Sequence, residues 1–426
     1  MNRIADLRVD GTRLWNTHME LAKIGALPGG GCCRLGLTPE DRVARDLFTG
    51  WCREAGCQVS IDQAGNIFAL RAGCRSGVPV TSGSHLDTQP HGGRFDGISG
   101  VLAGLEVIRS LNDAGVETEL PIAVVNWTNE EGVRYPGVCG SQAFAGRWTL
   151  QELRNLQSTD GSTFGADLAD IGYDGDQPLG SFPMSALFEL HIEQGPVLEQ
   201  HGEVIGVVTG VQGLRWIEVT VKGQDRHAGT TPMPSRRDAL VAGAKAIAAL
   251  DRLARQNAPD ARVTVGRLNI EPNSPSTIPG LVRFVVDLRH PQSDTLDRLE
   301  GEVATLCRTA ADEHGAEVEL RRIMTVAPID FDPGCVGKIA ESVKALGLPH
   351  RRMVSGGIHD ASVIGKIVPA AMIFVPSRDG ISHDEAEWTE PAHLEAGCNV
   401  LLQAMLARAG IASIGNHRKT AGASAA

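Results

Sequence analysis

Three clusters of imidazole and carboxylate side chains stand out in the chain. Ser84-His85-Leu86-Asp87 is followed closely by Arg94-Phe95-Asp96-Gly97, then come Thr128-Asn129-Glu130-Glu131-Gly132 and Glu189-Leu190-His191-Ile192-Glu193-Gln194-Gly195. Imidazole and carboxylate are what divalent metals take as ligands when a site must hold water and substrate together, and a shared carboxylate can bridge two ions roughly 3.5 to 4 Å apart. In His85-x-Asp87 a strand period of two puts both side chains on one face, so the acid can receive the ring N–H that a metal-binding histidine usually hands to a carboxylate. If the segment is extended, Glu130 and Glu131 point in different directions, leaving one to bind metal while the other faces a substrate water. Each feature has an ordinary alternative. A lone histidine at a strand end is commonly a satisfied polar residue, a Glu-Glu pair is commonly a solvated loop, and Asp96, just before a helix beginning near Ile98, would serve as its N-cap. Only the combination points to metal chemistry.

The elements that must position these clusters can be read from hydrophobic periodicity. The first 75 residues carry helical segments, with Leu14, His18, Leu21 and Ile24 at helical spacing, and a hairpin from Val59 to Leu70 turning at Ala64-Gly65-Asn66. From Val78 to Glu199 the pattern is strand, helix, strand: Pro79-Val80, then Val101, Leu105, Ile108 and Leu111, then Ile122 to Val125. Short apolar strands that end in polar clusters fit a parallel sheet covered on both faces, which binds ligands beyond the carboxyl ends of its strands. After Gly213, alternating stretches (Arg215 to Val221, Ala261 to Ile270, Leu281 to Arg289, Ala316 to Ile323) and helical stripes (Ala239 to Leu253, Leu296 to Leu306) follow the order βαββαβ of a ferredoxin-like unit. A helix (Lys338 to Leu346) and the run Ile373 to Val375 then return to the first sheet. The expected fold is α/β: a mostly parallel catalytic sheet flanked by helices, built from residues 1–212 and 329–426, with an inserted βαββαβ domain at 213–328 and a disordered tail after 415.

Composition removes several function classes. Asp and Glu total 51 against 40 Lys and Arg, a formal net charge of −11, and no basic block tracks a phosphate backbone, which excludes nucleic acid as a partner. The longest nearly apolar runs, such as Val368 to Pro376, fall short of the ~18 residues of a membrane span. Met1-Asn2-Arg3-Ile4-Ala5-Asp6 lacks the apolar core of a secretory signal, so a cytoplasmic location is expected. Nine cysteines without C-x-x-C spacing read as buried free thiols. Leu27-Pro28-Gly29-Gly30-Gly31 lacks the Lys-Ser/Thr of a phosphate cradle and reads as a flexible loop.

Gly83-Ser84-His85-Leu86-Asp87-Thr88, Gly92-Gly93-Arg94-Phe95-Asp96-Gly97, Asn126-Trp127-Thr128-Asn129-Glu130-Glu131-Gly132 and Glu189-Leu190-His191-Ile192-Glu193-Gln194-Gly195 closely resemble the hydantoinase/carbamoylase branch of the M20 metallopeptidase-like amidohydrolases. That branch holds N-carbamoyl-L-amino acid hydrolases, β-ureidopropionases and allantoate amidohydrolases, and the resemblance runs from about Arg13 to Arg408. It implies that His85, Asp96, Glu131, His191 and His383 hold two divalent ions, zinc first with manganese, cobalt or nickel as alternatives, and that Asp96 bridges them. Asp87 would orient His85 and Glu130 would be the general base. Gln194, His227, Asn273, Arg289, Gly357 and His359 would meet the substrate. Arg289 would clamp its carboxylate bidentately, although its alternation with Arg283, Val285 and Asp287 leaves a local ion pair or solvent exposure open. The insert would act as a lid and form a homodimer, with His227 reaching the partner's site to stabilise the oxyanion. In Ser355-Gly356-Gly357-Ile358-His359-Asp360-Ala361, Ile358 stands where the family carries a glycine, which marks a point of altered substrate contact. The implied reaction is hydrolysis of a carbamoyl C–N bond in an N-carbamoyl-L-amino acid or related ureido acid. The rivals are a dipeptidase or aminoacylase of the same family, or a metal-binding scaffold without turnover.

Overall fold

The computed structural model describes residues 6–414, so the tail expected to be disordered after 415 lies outside the described residues. The chain divides into two compact units, one made of the residues up to Thr209 together with those from Phe331 on, the other of Gly210–Asp330.

At the centre of the first unit, four parallel strands lie in the order Ile122–Trp127, Val80–His85, Ala186–Ile192, Ala370–Val375. Every residue of these four strands is buried. Strands buried on both sides require cover on both faces. Helices Ile98–Asp113 and Pro391–Ala409 touch each other and cover one, with Leu190 against Gly397. Glu189, pointing the other way, accepts the Ala361 N–H of the short helix Asp360–Ile364 on the second. Both helices are buried around most of their circumference, with Val101, Leu105 and Ile108 in one and Leu394, Leu401 and Met405 in the other. The expected hairpin forms between Gln58–Ile61 and Ile67–Arg71 and pairs antiparallel with Ile122–Trp127. On the opposite side, Ile205–Val211 runs antiparallel to Ala370–Val375.

Two expectations, on the first helix and the cysteines, are corrected, and the alternative role weighed for Asp96 falls away. The first helix, Gly11–Leu21, stops before Ile24. Asp96 is not an N-cap: that position belongs to Gly97, with φ 67°, and makes no side-chain cap bond. The cysteines are all free, but Cys74 is exposed and Cys33 half-buried. No helix among the described residues is long and apolar enough to cross a membrane.

In the second unit the strands lie in the order Arg262–Glu271, Leu281–His290, Gly213–Lys222, Glu317–Val326, all antiparallel. Counted along the chain this is strand order 2-3-1-4, the ferredoxin-like arrangement. Alternation decides which face is covered: Ile217, Val219, Val282, Phe284 and Val286 pack with Leu250 and Leu253 of helix Ala239–Gln256 and with Leu296, Leu299 and Val303 of helix Ser293–Asp312.

One buried ion pair in the first unit ties the sheet to the loop that carries Glu130. Arg45, on helix Pro39–Glu54, donates to Asp41 at 2.8 Å, to the Gly65 carbonyl in the hairpin turn at 2.7 Å and to Thr128 Oγ1 at 3.3 Å. Both charged side chains are almost fully enclosed. Removing one partner strands the other charge in the interior, so Arg45→Met should lower the unfolding free energy by about 3–5 kcal/mol in denaturant titration. Adding Asp41→Asn should recover part of that loss.

Candidate metal centre

The first unit gathers its polar clusters at the carboxyl ends of the four parallel strands. His85 is the last residue of its strand and His191 the last but one of its own; Glu130 and Glu131 lie just beyond Trp127, and His383 beyond Val375. Three donor trios result among the described residues, His85 with Asp96 and His191, Asp96 with Glu131 and His383, and Glu189 with His191 and His359; the first two share Asp96. Asp96 Oδ1 stands 3.0 Å from His191 Nε2 and 4.0 Å from His85 Nε2, while Oδ2 stands 3.3 Å from His383 Nε2. His383 Nε2 is also 3.3 Å from Glu131 Oε2.

The donor set fits divalent cations on two grounds. The Nδ1 atoms of His85 and His191 each lie 2.9 Å from a backbone carbonyl, that of Asp87 and that of Ile192. A ring that donates from Nδ1 keeps a lone pair on Nε2, and both Nε2 atoms face the cluster, as metal-ligating histidines do. Second, three carboxylates crowd together out of water, an arrangement that calls for positive charge between them. Burial, then the neighbouring charges of Asp360, Glu131, Asp87 and Asp96, hold the Glu130 carboxyl well above its ordinary range. Burial and Asp96 likewise push Glu131 up to about 8 against the opposing effect of His383. Asp96 goes the other way: burial would raise it, but His191 and His383 hold it well below. Burial opposes charge on His191, yet Asp96 pushes it up to about 9, and a hydrogen bond to Asp96 brings His383 to about 9.

Local backbone geometry serves this convergence. Asn129, Gln194 and His383 adopt left-handed conformations, with φ of 52°, 58° and 57°. Non-glycine residues persist there only when the surroundings over-determine them. Asp87 holds His85 through its carbonyl; its carboxylate, 3.7 Å from the ring, instead accepts the backbone N–H groups of Glu130 and Glu131, each at 3.2 Å. The extended arrangement expected for Asp87 and the two glutamates is thus replaced by a turn folded around one carboxylate.

Of the residues expected to meet substrate, Gln194, Gly357 and His359 lie in this unit. Gln194 donates to Asp96 Oδ2 at 2.8 Å. The His359 ring meets that of His191 edge-on at 4.5 Å, with its Nε2 2.9 Å from Ser355 Oγ, which also accepts the Gly357 N–H. Ile358, between them, is 39% exposed. His227, Asn273 and Arg289 belong to the other unit. His227 is exposed, and its Nδ1 accepts the N–H groups of Gly229 at 3.0 Å and Thr230 at 3.2 Å, which puts the ring proton on Nε2. Asn273 is exposed with φ 53°. Arg289 bonds Asp287 with both arms of its fork, at 2.8 and 2.9 Å, so the local ion pair forms.

Sequence reasoning missed Ser382 and Glu387. Ser382 Oγ lies 2.9 Å from Asp96 Oδ2, and Glu387, 2% exposed, accepts the backbone N–H groups of Phe95 and Asp96. Nothing in Asp384-Glu385-Ala386-Glu387 separates the buried acid from its neighbours by residue type.

The model of peptidase family M20/M25/M40 matches residues 82–407. An N-carbamoyl-L-amino-acid amidohydrolase of Rhizobium meliloti is 42% identical over 410 residues, covering 95% of this chain and 98% of that protein. An allantoate amidohydrolase of Bacillus subtilis is 33% identical, covering 89% and 93%. The crystal structure of an amidase of the hydantoinase/carbamoylase family from Burkholderia multivorans superposes with a TM-score of 0.91 at 51% identity, covering 95% and 99%. This chain belongs to the M20 peptidase family, in its hydantoinase/carbamoylase branch, and is a hydrolase of that family.

Gly97 has no room for a side chain, because a Cβ there would overlap the His85 ring. Gly97→Ala should weaken divalent-cation binding ~10–100-fold, measured by equilibrium dialysis. Gly202→Ala, at a similar φ of 65° but with open space around it, should leave binding unchanged.

Proposed function

We propose that this chain hydrolyses the carbamoyl C–N bond of N-carbamoyl-L-amino acids or closely related ureido acids, releasing ammonia, carbon dioxide and the free amino acid. The observation that carries this reading is the pair of donor trios sharing Asp96, with the carboxylate of Glu130 buried beside them. The chain's similarity to an N-carbamoyl-L-amino-acid amidohydrolase and an allantoate amidohydrolase supports the choice of bond.

In this reading His85, Asp96 and His191 hold one divalent cation, and Asp96, Glu131 and His383 hold a second. The two cations, zinc first and manganese, cobalt or nickel otherwise, supply polarisation of the scissile carbonyl and an attacking water of lowered pKa. Glu130, anchored by its backbone N–H on Asp87, takes the proton from that water and passes it to the leaving nitrogen. His227, with its ring proton on Nε2, donates to the developing oxyanion. Gln194, Gly357 and His359 line the substrate on the metal side. Arg289 and Asn273 bind its carboxylate, the guanidinium exchanging Asp287 for the ligand. Residues 213–328 act as lid and homodimer contact, each His227 serving the partner's site, and the enzyme works in the cytoplasm on small molecules.

Newly freed α-amino groups, with ammonia measured in parallel, from a panel of N-carbamoyl amino acids, allantoate, N-acetyl amino acids and dipeptides test the reading. Turnover confined to the carbamoyl and ureido compounds is expected, and exclusive turnover of acetyl amino acids or dipeptides would overturn it. Glu130→Gln should keep its cations and lose at least ~10²-fold in kcat, because only the proton transfer is removed.

A mixing experiment checks the assembly. His227→Ala and Glu130→Gln proteins, each inactive alone, should regain up to about one quarter of wild-type activity after subunit exchange, since half the dimers are mixed and each carries one complete site. Exchange verified by mass without recovered activity would place His227 in its own chain's site or outside the reaction.

A further inference from the structure

We propose that Glu387 is a positioning residue that locks the bridging Asp96 and the donor His383 in one arrangement and so sets the affinity of the site for divalent cations. The inference rests on the metal reading above. Its basis is the set of partners this buried carboxylate makes. Oε1 accepts the backbone N–H of Phe95 at 3.0 Å and that of Asp96 at 3.1 Å, fixing the chain on which the shared ligand sits. Oε2 lies 3.1 Å from the hydroxyl of Ser382, which also stands 2.9 Å from Asp96 Oδ2 and directly precedes His383. One side chain therefore bonds both segments whose side chains meet at 3.3 Å.

The surroundings hold Glu387 in that role. Its own N–H bonds the Asp384 carbonyl at 3.0 Å, closing a turn that brings the carboxylate back over the segment just traversed. Gly93 makes room for it: a Cβ at 93 would overlap Glu387 Oε1. Trp388, the next residue, meets the Phe95 ring edge-on at 5.6 Å, and Trp15 stacks on the same ring at 5.8 Å. His383 needs such support, because its φ of 57° is a conformation a histidine does not keep unaided.

The full-length protein titrated with Co²⁺ tests the role through two readouts independent of turnover: affinity, by competition with a chromophoric chelator, and the visible absorption spectrum of the bound ion. Glu387→Ala should weaken binding ~10–100-fold and change the spectrum. Glu387→Gln should stay within about threefold of wild type with the wild-type spectrum, since the amide oxygen still accepts both N–H groups and the amide nitrogen still reaches Ser382. Ser382→Ala, which removes the hydroxyl that joins Glu387 Oε2 to Asp96 Oδ2 but leaves the bonds to the Phe95 and Asp96 N–H groups, and Gly93→Ala, which displaces the carboxylate, should both weaken binding and provide the test even where Glu387→Ala fails to fold. Wild-type affinity and spectrum in Ser382→Ala and Gly93→Ala, or a Gln variant as impaired as the Ala variant, would overturn the assignment. A wild-type protein that takes up no Co²⁺ would instead overturn the reading of the site itself.

Discussion

Burial works against the charge of Asp96, and the centre is built around keeping it. His191 at 3.0 Å and His383 at 3.3 Å turn ring nitrogens toward it, and Gln194 and Ser382 supply hydrogen bonds. None of these groups is local to Asp96 in sequence, so the carboxylate can be satisfied only where several strands end together. Four buried parallel strands provide that place. Their apolar interiors are rigid enough to fix the loops beyond them, and the loops use strained backbone at Asn129, Gln194 and His383 to turn side chains inward. A buried shared anion surrounded by further acids is costly in isolation and suited to cations, which links the fold's stability to the chemistry proposed for it.

The sequence made the first part of this legible because its signals are short-range. The apolar runs at Val80 and Ile122 to Val125, the helical stripe of Val101, Leu105 and Ile108, and the alternation from Arg215 to Val221 and from Leu281 to Arg289 all became the elements they suggested. His85, Glu131 and His191 stand out because each lies in a polar cluster at or just past a strand end, and Asp96 because it follows closely on the first of these clusters. His383 was found only through family resemblance, since the segment Asp379 to Glu385 is polar throughout and follows no periodic signal of its own. Glu387 escaped notice because what distinguishes it is long-range: it is buried against Phe95, from which it is separated by 292 positions. The strand period that placed Asp87 beside His85 ended too soon, because the strand stops at His85 itself.

Arg289 and His227 illustrate how far pattern reading carries in the second unit. Alternation placed Arg289 on the same strand face as Asp287, and the two do pair. The tautomer of His227, by contrast, depends on two backbone N–H groups in a turn, a feature without a sequence signature.

The position of Ala370–Val375 between Ala186–Ile192 and Ile205–Val211 has a consequence for biosynthesis. Both flanking strands leave the ribosome long before the one that separates them, with the whole Gly210–Asp330 unit in between. The nascent chain therefore carries two unsatisfied strand edges facing an open slot, the kind of surface on which foreign chains add strands and aggregates start. Ser382, His383 and Glu387 follow that strand directly in the chain, so the segment that fills the slot also brings the last residues of the proposed cation site. A truncated chain would lack both at once, so a translation product cut short before Ala370 would present an adhesive sheet and no complete cation site.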